Sequence, residues 1–262
     1  FLYANAEENG NINGTNNEQV QSVSPKANNS FEIRDGVLVK YNGSESEVVI
    51  PEEVHSIGKN AFSGNNTLTS VKMGNSVEKI EPYAFNNCTS LQNIVWSNQL
   101  KSIGDSAFSG CSSLKDLKLP GTLTTIGSAV FSRCNNLRNV FVPKSFPDPS
   151  GSYITYGPFM LNEADFKVTF EEGITRIPNS LFEGSAITQI TIPDTIREIG
   201  DKSFLQCENL TTIKLPSNLQ SLGKMAFGHC KKLESVWIPS SLQSMNGNFG
   251  YGPFVNCYAL KY

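Results

Sequence analysis

From Val48 onward the apolar positions of the chain fall in a fixed order: Ile-Pro, a β-prone pair, Ile-Gly, Ala-Phe, Cys, then Leu-x-x-Ile-x-Ile. The order returns with a constant step, its phenylalanine standing at Phe62, Phe85, Phe108 and Phe131, 23 residues apart each time. Such constancy marks a structural repeat. Within one unit, Leu114-x-x-Leu117-x-Leu119 alternates apolar and polar side chains, which predicts a short strand with one face in a core. Equivalent inward pairs are Val71/Met73, Ile94/Trp96, Val140/Val142, Val168/Phe170, Ile190/Ile192, Ile213/Leu215 and Val236/Ile238. Stacked in register, they predict one long parallel sheet. A second extended segment, from Val54-x-x-Ile57 to Leu219-x-x-Leu222, supplies the opposite wall.

Glycine follows the isoleucine at Gly58, Gly104, Gly127, Gly200 and Gly223, a column that suits positive φ or close backbone approach. Glu81 and Pro178 in the same column show that the demand is not absolute. The phenylalanines continue as Phe159, Phe182, Phe204, Phe227 and Phe254, making nine rungs. At a strand separation of roughly 4.8 Å the array is about 40 Å long. The expected fold is therefore a β-rich repeat solenoid of about nine rungs, in which each turn is stable only against its neighbours.

The ends follow other rules. Residues 1–30 are read as an export-signal remnant and an Asn-rich linker. Ala4-x-Ala6 has the small-residue spacing of a signal cleavage site, though two small residues in a frayed terminus fit as well. Residues 7–30 carry almost no large apolar side chain to offset the entropy of ordering, so a flexible spacer is expected. Order is expected from Phe31. Residues 31–50 hold two turn signals, Asp35-Gly36 and Asn42-Gly43, among β-prone residues. They predict a short antiparallel meander acting as an amino-terminal β-hairpin cap over the exposed end of the array. Residues 51–262 form the solenoid. Its last residues stop where a further strand would begin, so the expectation is a protein that continues beyond Tyr262.

The run Ile-Gly-x-x-Ala-Phe-x-x-Cys-x-x-Leu-x-x-Ile-x-Ile-Pro, seen from Ile103 to Pro120 and again from Ile199 to Pro216, resembles the BspA-type leucine-rich repeat. The opening Asp35-Gly36-Val37-Leu38-Val39 through Val49-Ile50-Pro51 is similar to that family's usual first segment. The resemblance covers about Phe31 to Tyr262. It implies a right-handed leucine-rich-repeat array with a parallel sheet, in a bacterial and mostly extracellular protein whose repeats serve adhesion or protein recognition. It implies no catalytic residues.

Composition narrows the function classes. A chain of 262 residues with 39% hydrophobic and 17% charged residues and net charge −3 is ordinary for a folded soluble array. It lacks the clustered cations that displace phosphate counterions, so no nucleic-acid partner is expected. No apolar run reaches the roughly 18 residues that span a bilayer, so no membrane insertion of this segment is expected.

Six cysteines in an exported chain suggest disulfides. The columns argue otherwise. Cys88, Cys111, Cys134, Cys207, Cys230 and Cys257 all lie three residues after the repeat phenylalanine, where the other rungs place Asn65, Asn162 and Ser185. A position shared by Cys, Asn and Ser asks for a small buried side chain that hydrogen-bonds turn backbone, so the expectation is a structural ladder of free thiols. Zinc is not expected, because four tetrahedral ligands do not converge from a straight column. His55 and His229 belong to rungs seven steps apart, on the order of 34 Å at sheet spacing, and cannot share a site. No catalytic, metal or cofactor residues are assigned, and no enzyme is expected.

Two intervals exceed the normal step, Phe131 to Phe159 and Phe227 to Phe254, and the two stretches resemble each other. Val140-Phe141-Val142-Pro143 leads to Tyr156-Gly157-Pro158-Phe159, and Val236-Trp237-Ile238-Pro239 leads to Tyr251-Gly252-Pro253-Phe254. In both, the outward residue of the strand before the long loop is aromatic, Phe141 and Trp237, where other rungs place Lys72, Val95, Lys118, Thr169, Thr191 and Lys214. Two readings stand side by side. Phe141 and Trp237 with Tyr153, Tyr156 and Tyr251 form partner-binding hot spots, or the aromatics anchor their own loops. The favoured function is a secreted or cell-surface recognition and adhesion module for a host matrix or surface protein. The alternatives are a carbohydrate-binding module using the same aromatics, and a structural spacer in a larger surface protein.

Overall fold

A computed structural model describes residues 30–150, 156–247 and 250–261, and among these every regular element is a β-strand. The chain opens with an antiparallel hairpin of β1 (Phe31–Arg34) and β2 (Val37–Tyr41). The turn is made by Asp35 and Gly36, both at positive φ, as the Asp-Gly signal requires. The expected meander stops there. After Tyr41 the chain leaves the hairpin, and the next strand pairs in a different sheet.

Each turn then contributes to two walls. The face sheet takes β3 (Glu47–Val49), β5 (Ser70–Lys72), β7 (Asn93–Val95), β9 (Asp116–Lys118), β11 (Asn139–Val142), β12 (Lys167–Phe170), β15 (Thr212–Lys214) and β17 (Ser235–Trp237). The back wall takes β4 (Ser56–Ile57), β6 (Lys79–Ile80), β8 (Ser102–Ile103), β10 (Thr125–Ile126), β13 (Arg176–Ile177), β14 (Glu198–Ile199), β16 (Ser221–Leu222) and β18 (Ser244–Met245). All pairings within the two walls are parallel, and β2 joins the back wall beside β4. The structure is a helix-free parallel solenoid with the expected nine phenylalanine rungs.

The third side carries the phenylalanines without strand geometry. In seven of the nine rungs the residues two before and two after the Phe turn left-handed, as at Tyr83 and Asn87 around Phe85 (φ 61 and 57) and Met225 and His229 around Phe227 (φ 53 and 57), while at Phe159 and Phe254 only the residue two after does. Alternate N–H groups close tight turns, while the others donate to the next rung, as Phe85 N–H does to Ala107 and Asn87 N–H to Ser109. Backbone pairing is thus satisfied on this side as well. The rings stack in one column from Phe62 to Phe254 with centroids 4.7 to 6.1 Å apart. Tyr41 of the hairpin stacks on Phe62 at 4.9 Å and closes the column.

The glycine column is set by close approach, not by positive φ. A Cβ on Gly127 would lie 2.5 Å from the backbone nitrogen of Asp105, and one on Gly223 2.4 Å from that of Asp201.

The expected single sheet is divided. The face sheet consists of β3-β5-β7, β9-β11-β12 and β15-β17. At the first break, Trp96 points its indole N–H at the Lys118 carbonyl, 2.7 Å away, and takes the acceptor that a strand N–H would use. At the second, residues 189–192 form no strand.

Candidate recognition face

The ladder cysteines are committed to the fold. Each ladder cysteine donates its thiol to the carbonyl of the phenylalanine one rung back: Cys88 to Phe62 at 3.1 Å, Cys111 to Phe85 at 3.2 Å, Cys134 to Phe108 at 3.4 Å. Cys207, Cys230 and Cys257 do the same to Phe182, Phe204 and Phe227 at 3.0, 3.2 and 3.0 Å. Asn162 substitutes its amide, 3.0 Å from the Phe131 carbonyl, and Asn65 instead accepts from the backbone of Thr67 and Leu68. Ser185 meets the Cys207 sulfur at 3.6 Å. All six cysteines are free. Burial pushes Cys88, Cys134 and Cys207 up to about 12 and holds Cys111 well above its ordinary value, so they stand as neutral donors.

His55 lies exposed near the Ser76 carbonyl, and His229 meets the Asn256 side chain, so the two histidines belong to separate turns. Among the described residues no three His, Cys, Asp or Glu side chains converge on a metal position.

The aromatic residues singled out from the sequence do not form one cluster. Phe141 is half-buried on the outer side of β11, and Lys118 Nζ lies 5.6 Å from its ring centre. Trp237 is 77% exposed on β17 and does not pack beneath its loop. Tyr156 and Tyr251 stand elsewhere. After β11 the chain still follows the usual path, Phe146 filling a core position and Pro149 bridging Ile126 on the back wall. The extra residues come only then, and the chain returns where Ala129 and Phe131 donate to the carbonyls of Tyr156 and Pro158. The second loop likewise follows β18 and returns where Met225 donates to Tyr251. The described residues that flank the insertions, Pro149 and Tyr156 in the first and Met245 and Tyr251 in the second, therefore belong to the back wall and the start of the Phe side, not to the face sheet. The grouping of Phe141 and Trp237 with Tyr156 and Tyr251 into common sites is corrected accordingly. Tyr153 lies outside the described residues.

The first loop is pinned by a residue that the repeat pattern does not flag. Asp148 accepts two bonds from Arg176 Nη2, at 2.8 and 2.9 Å, and a third from the Asn179 N–H at 2.7 Å, while Arg176 Nε reaches Glu198 at 3.1 Å. Tyr251 is covered on one ring face by Lys224, 4.2 Å away.

What remains free is the outer side of the face sheet. Its column runs Val49, Lys72, Val95, Lys118, Phe141, Thr169, Thr191, Lys214, Trp237, one residue per rung. A hollow of about 550 Å³ lies beside Phe141 against Val95, Lys118 and Thr169, and one of about 470 Å³ lies beside Trp237 against Lys214 and Pro239. Both are shallow and open, suited to side chains of a large partner and not to an enclosed small substrate.

The model of the BspA type leucine rich repeat region matches the chain in 6 copies, over residues 39–152 and 150–261. No curated protein matches. Among solved structures, a leucine-rich repeat protein from Bacteroides ovatus is similar with a TM-score of 0.60 and 26% identity, over 77% of this chain and 57% of that one. The chain thus spans little more than half the length of that protein. A leucine rich repeat protein of T. pallidum is 24% identical with a TM-score of 0.45, over 89% of both chains. A leucine rich cell surface protein from Faecalibacterium prausnitzii is 20% identical with a TM-score of 0.34, over 86% of this chain and 89% of that one.

Proposed function

The chain belongs to the BspA type leucine-rich repeat family, and from that membership we propose that it is a non-catalytic recognition module of a bacterial cell surface that holds a protein partner on its face sheet. The observation that carries this reading is Trp237. A tryptophan 77% exposed on a rigid strand presents a large apolar surface to water, and a partner that covers it gains that area without ordering a loop. Phe141 repeats the arrangement four rungs earlier in the same column. The solenoid supplies rigidity, because every turn is fixed by its two neighbours. The described residues include no helix long and apolar enough to cross a membrane.

The carbohydrate reading is less well supported. Lys224 covers one ring face of Tyr251, the surface on which a sugar would stack. The test is binding of Phe141→Ala, Trp237→Ala and the double variant to a panel of immobilised matrix and host-surface proteins. Loss of a central aromatic anchor is expected to weaken binding at least about 30-fold. Binding to every panel member that is indifferent to both substitutions would sink the reading.

A further inference from the structure

The step from Phe182 to Phe204 is one residue shorter than its neighbours. The missing residue lies in the corner after the ladder position: Cys111-x-x-Leu114 elsewhere, Ser185-x-Ile187 here. Ile187 is still fully buried, so the shortened corner draws the following residues out of line. In regular rungs the next N–H meets a backbone carbonyl, as Gln92 meets Thr69 at 2.8 Å. Thr188 instead directs its N–H to Asp165 Oδ1 at 3.0 Å and its hydroxyl to Asp165 Oδ2 at 2.6 Å. Residues 189–192 then pair with neither β12 nor β15, and the N–H groups of Gln189 and Thr191 meet no acceptor among the described residues.

The rupture opens a cleft of about 610 Å³ on the face sheet, between Phe141 and Trp237. Arg138, Lys167 and Lys214 line it, all exposed and, among the described residues, none in an ion pair. The one carboxylate in the lining is Asp165, already engaged by Thr188. Unpaired backbone N–H groups beside three cations that outnumber the nearby carboxylates, Asp165 in the lining and Asp194 within reach of the Lys214 charge, make an anion site.

We propose that this cleft binds carboxylate side chains of an extended acidic segment in the partner protein, with Phe141 and Trp237 covering apolar residues on either side. The inference rests on the face sheet being the recognition surface. Each aromatic lies two rungs from Thr191, roughly 10 Å at sheet spacing, a distance that about three extended residues cover. A peptide is favoured over an anionic glycan because Phe141 and Trp237, one on either side of the cations, call for apolar side chains flanking the carboxylates, which a glycan does not carry.

The experiment titrates the whole chain into a fluorescein-labelled peptide of alternating Glu and Leu, and into its Gln/Leu counterpart, followed by anisotropy. The acidic peptide is expected to bind at least about tenfold more tightly, with affinity falling as salt rises. Lys167→Glu with Lys214→Glu should abolish the difference, while Lys101→Glu with Lys231→Glu should leave it. Inserting one serine after Ser185 restores the regular corner, and should close the cleft and remove binding in a protein whose thermal stability is unchanged or higher. Equal binding of both peptides, or binding indifferent to the charge reversal or to the insertion, would overturn the proposal. So would binding of polygalacturonate but not of the acidic peptide. If Phe141→Ala and Trp237→Ala abolish capture of a panel protein that ignores the charge reversal, the cleft is excluded while the recognition reading stands.

Discussion

The thiol of Cys111 donates to the carbonyl of Phe85, one rung back, at 3.2 Å, and the two belong to columns that never exchange roles along the array. The phenylalanine fills the centre of a turn and offers its carbonyl upward. The cysteine of the next turn is small enough to sit beside that ring and polar enough to meet the oxygen. The Phe85 carbonyl also accepts the Cys88 N–H at 3.2 Å, so the thiol supplies its second hydrogen bond, worth about 0.5–1.5 kcal/mol, in a column that holds Cys, Asn and Ser but no alanine.

The ladder makes stability fall in alkali. Cys88, Cys134 and Cys207 are raised by burial from 9.0 to about 12, so between those values the unfolded chain releases thiol protons that the folded chain keeps. Stability present below pH 9 is therefore lost as pH rises toward 12, by about 1.4 kcal/mol per pH unit for each such thiol. Urea denaturation across this range should show the slope, and Cys134→Ser should reduce it. Thiol titration should find the half-buried Cys257 reacting first, and all six only after unfolding.

The ring column predicts a position-dependent cost. Phe131 is fully buried between Phe108 at 5.6 Å and Phe159 at 5.7 Å, and Phe131→Ala should cost about 3–5 kcal/mol. Because turns are coupled only to neighbours, the cut should also split a single denaturation transition into two. Phe254→Ala, at a partly buried position with one stacked neighbour in the column, should cost less and leave one transition.

Glu183 is a buried acid in a column that holds Met160 and Leu205 on adjacent rungs. Burial raises its pKa, against opposing contributions from Ser180, Lys202 and the Gly157 N–H, and its Oε2 has no partner among the described residues. A raised acid contributes stability below its unfolded pKa that is lost as pH rises through the folded value. Glu183→Gln should therefore raise the melting temperature at neutral pH by a few degrees and have little effect near pH 4. An unchanged melting temperature at both pH values would contradict this account.

The sequence by itself determined the solenoid, its nine rungs, the strand columns and the free thiols, because each depends on which residue types recur at a fixed step. A phenylalanine that returns every 23 residues can only stack, and a column of Cys, Asn and Ser must serve one small polar role. Tertiary structure decided what depends on where the backbone goes between columns. The long loops looked adjacent to Phe141 and Trp237 because they follow them in the chain, but the extra residues enter only after the back wall, so Tyr156 and Tyr251 stand on another edge. The continuous sheet expected from Ile190/Ile192 is broken there by a single missing residue before Ile187. That deletion is written in the sequence as a step of 22 between Phe182 and Phe204. Its consequence could be read only once Thr188 was seen bonded to Asp165, because register along a strand is settled by hydrogen-bond partners on the neighbouring rungs, which the local pattern does not contain.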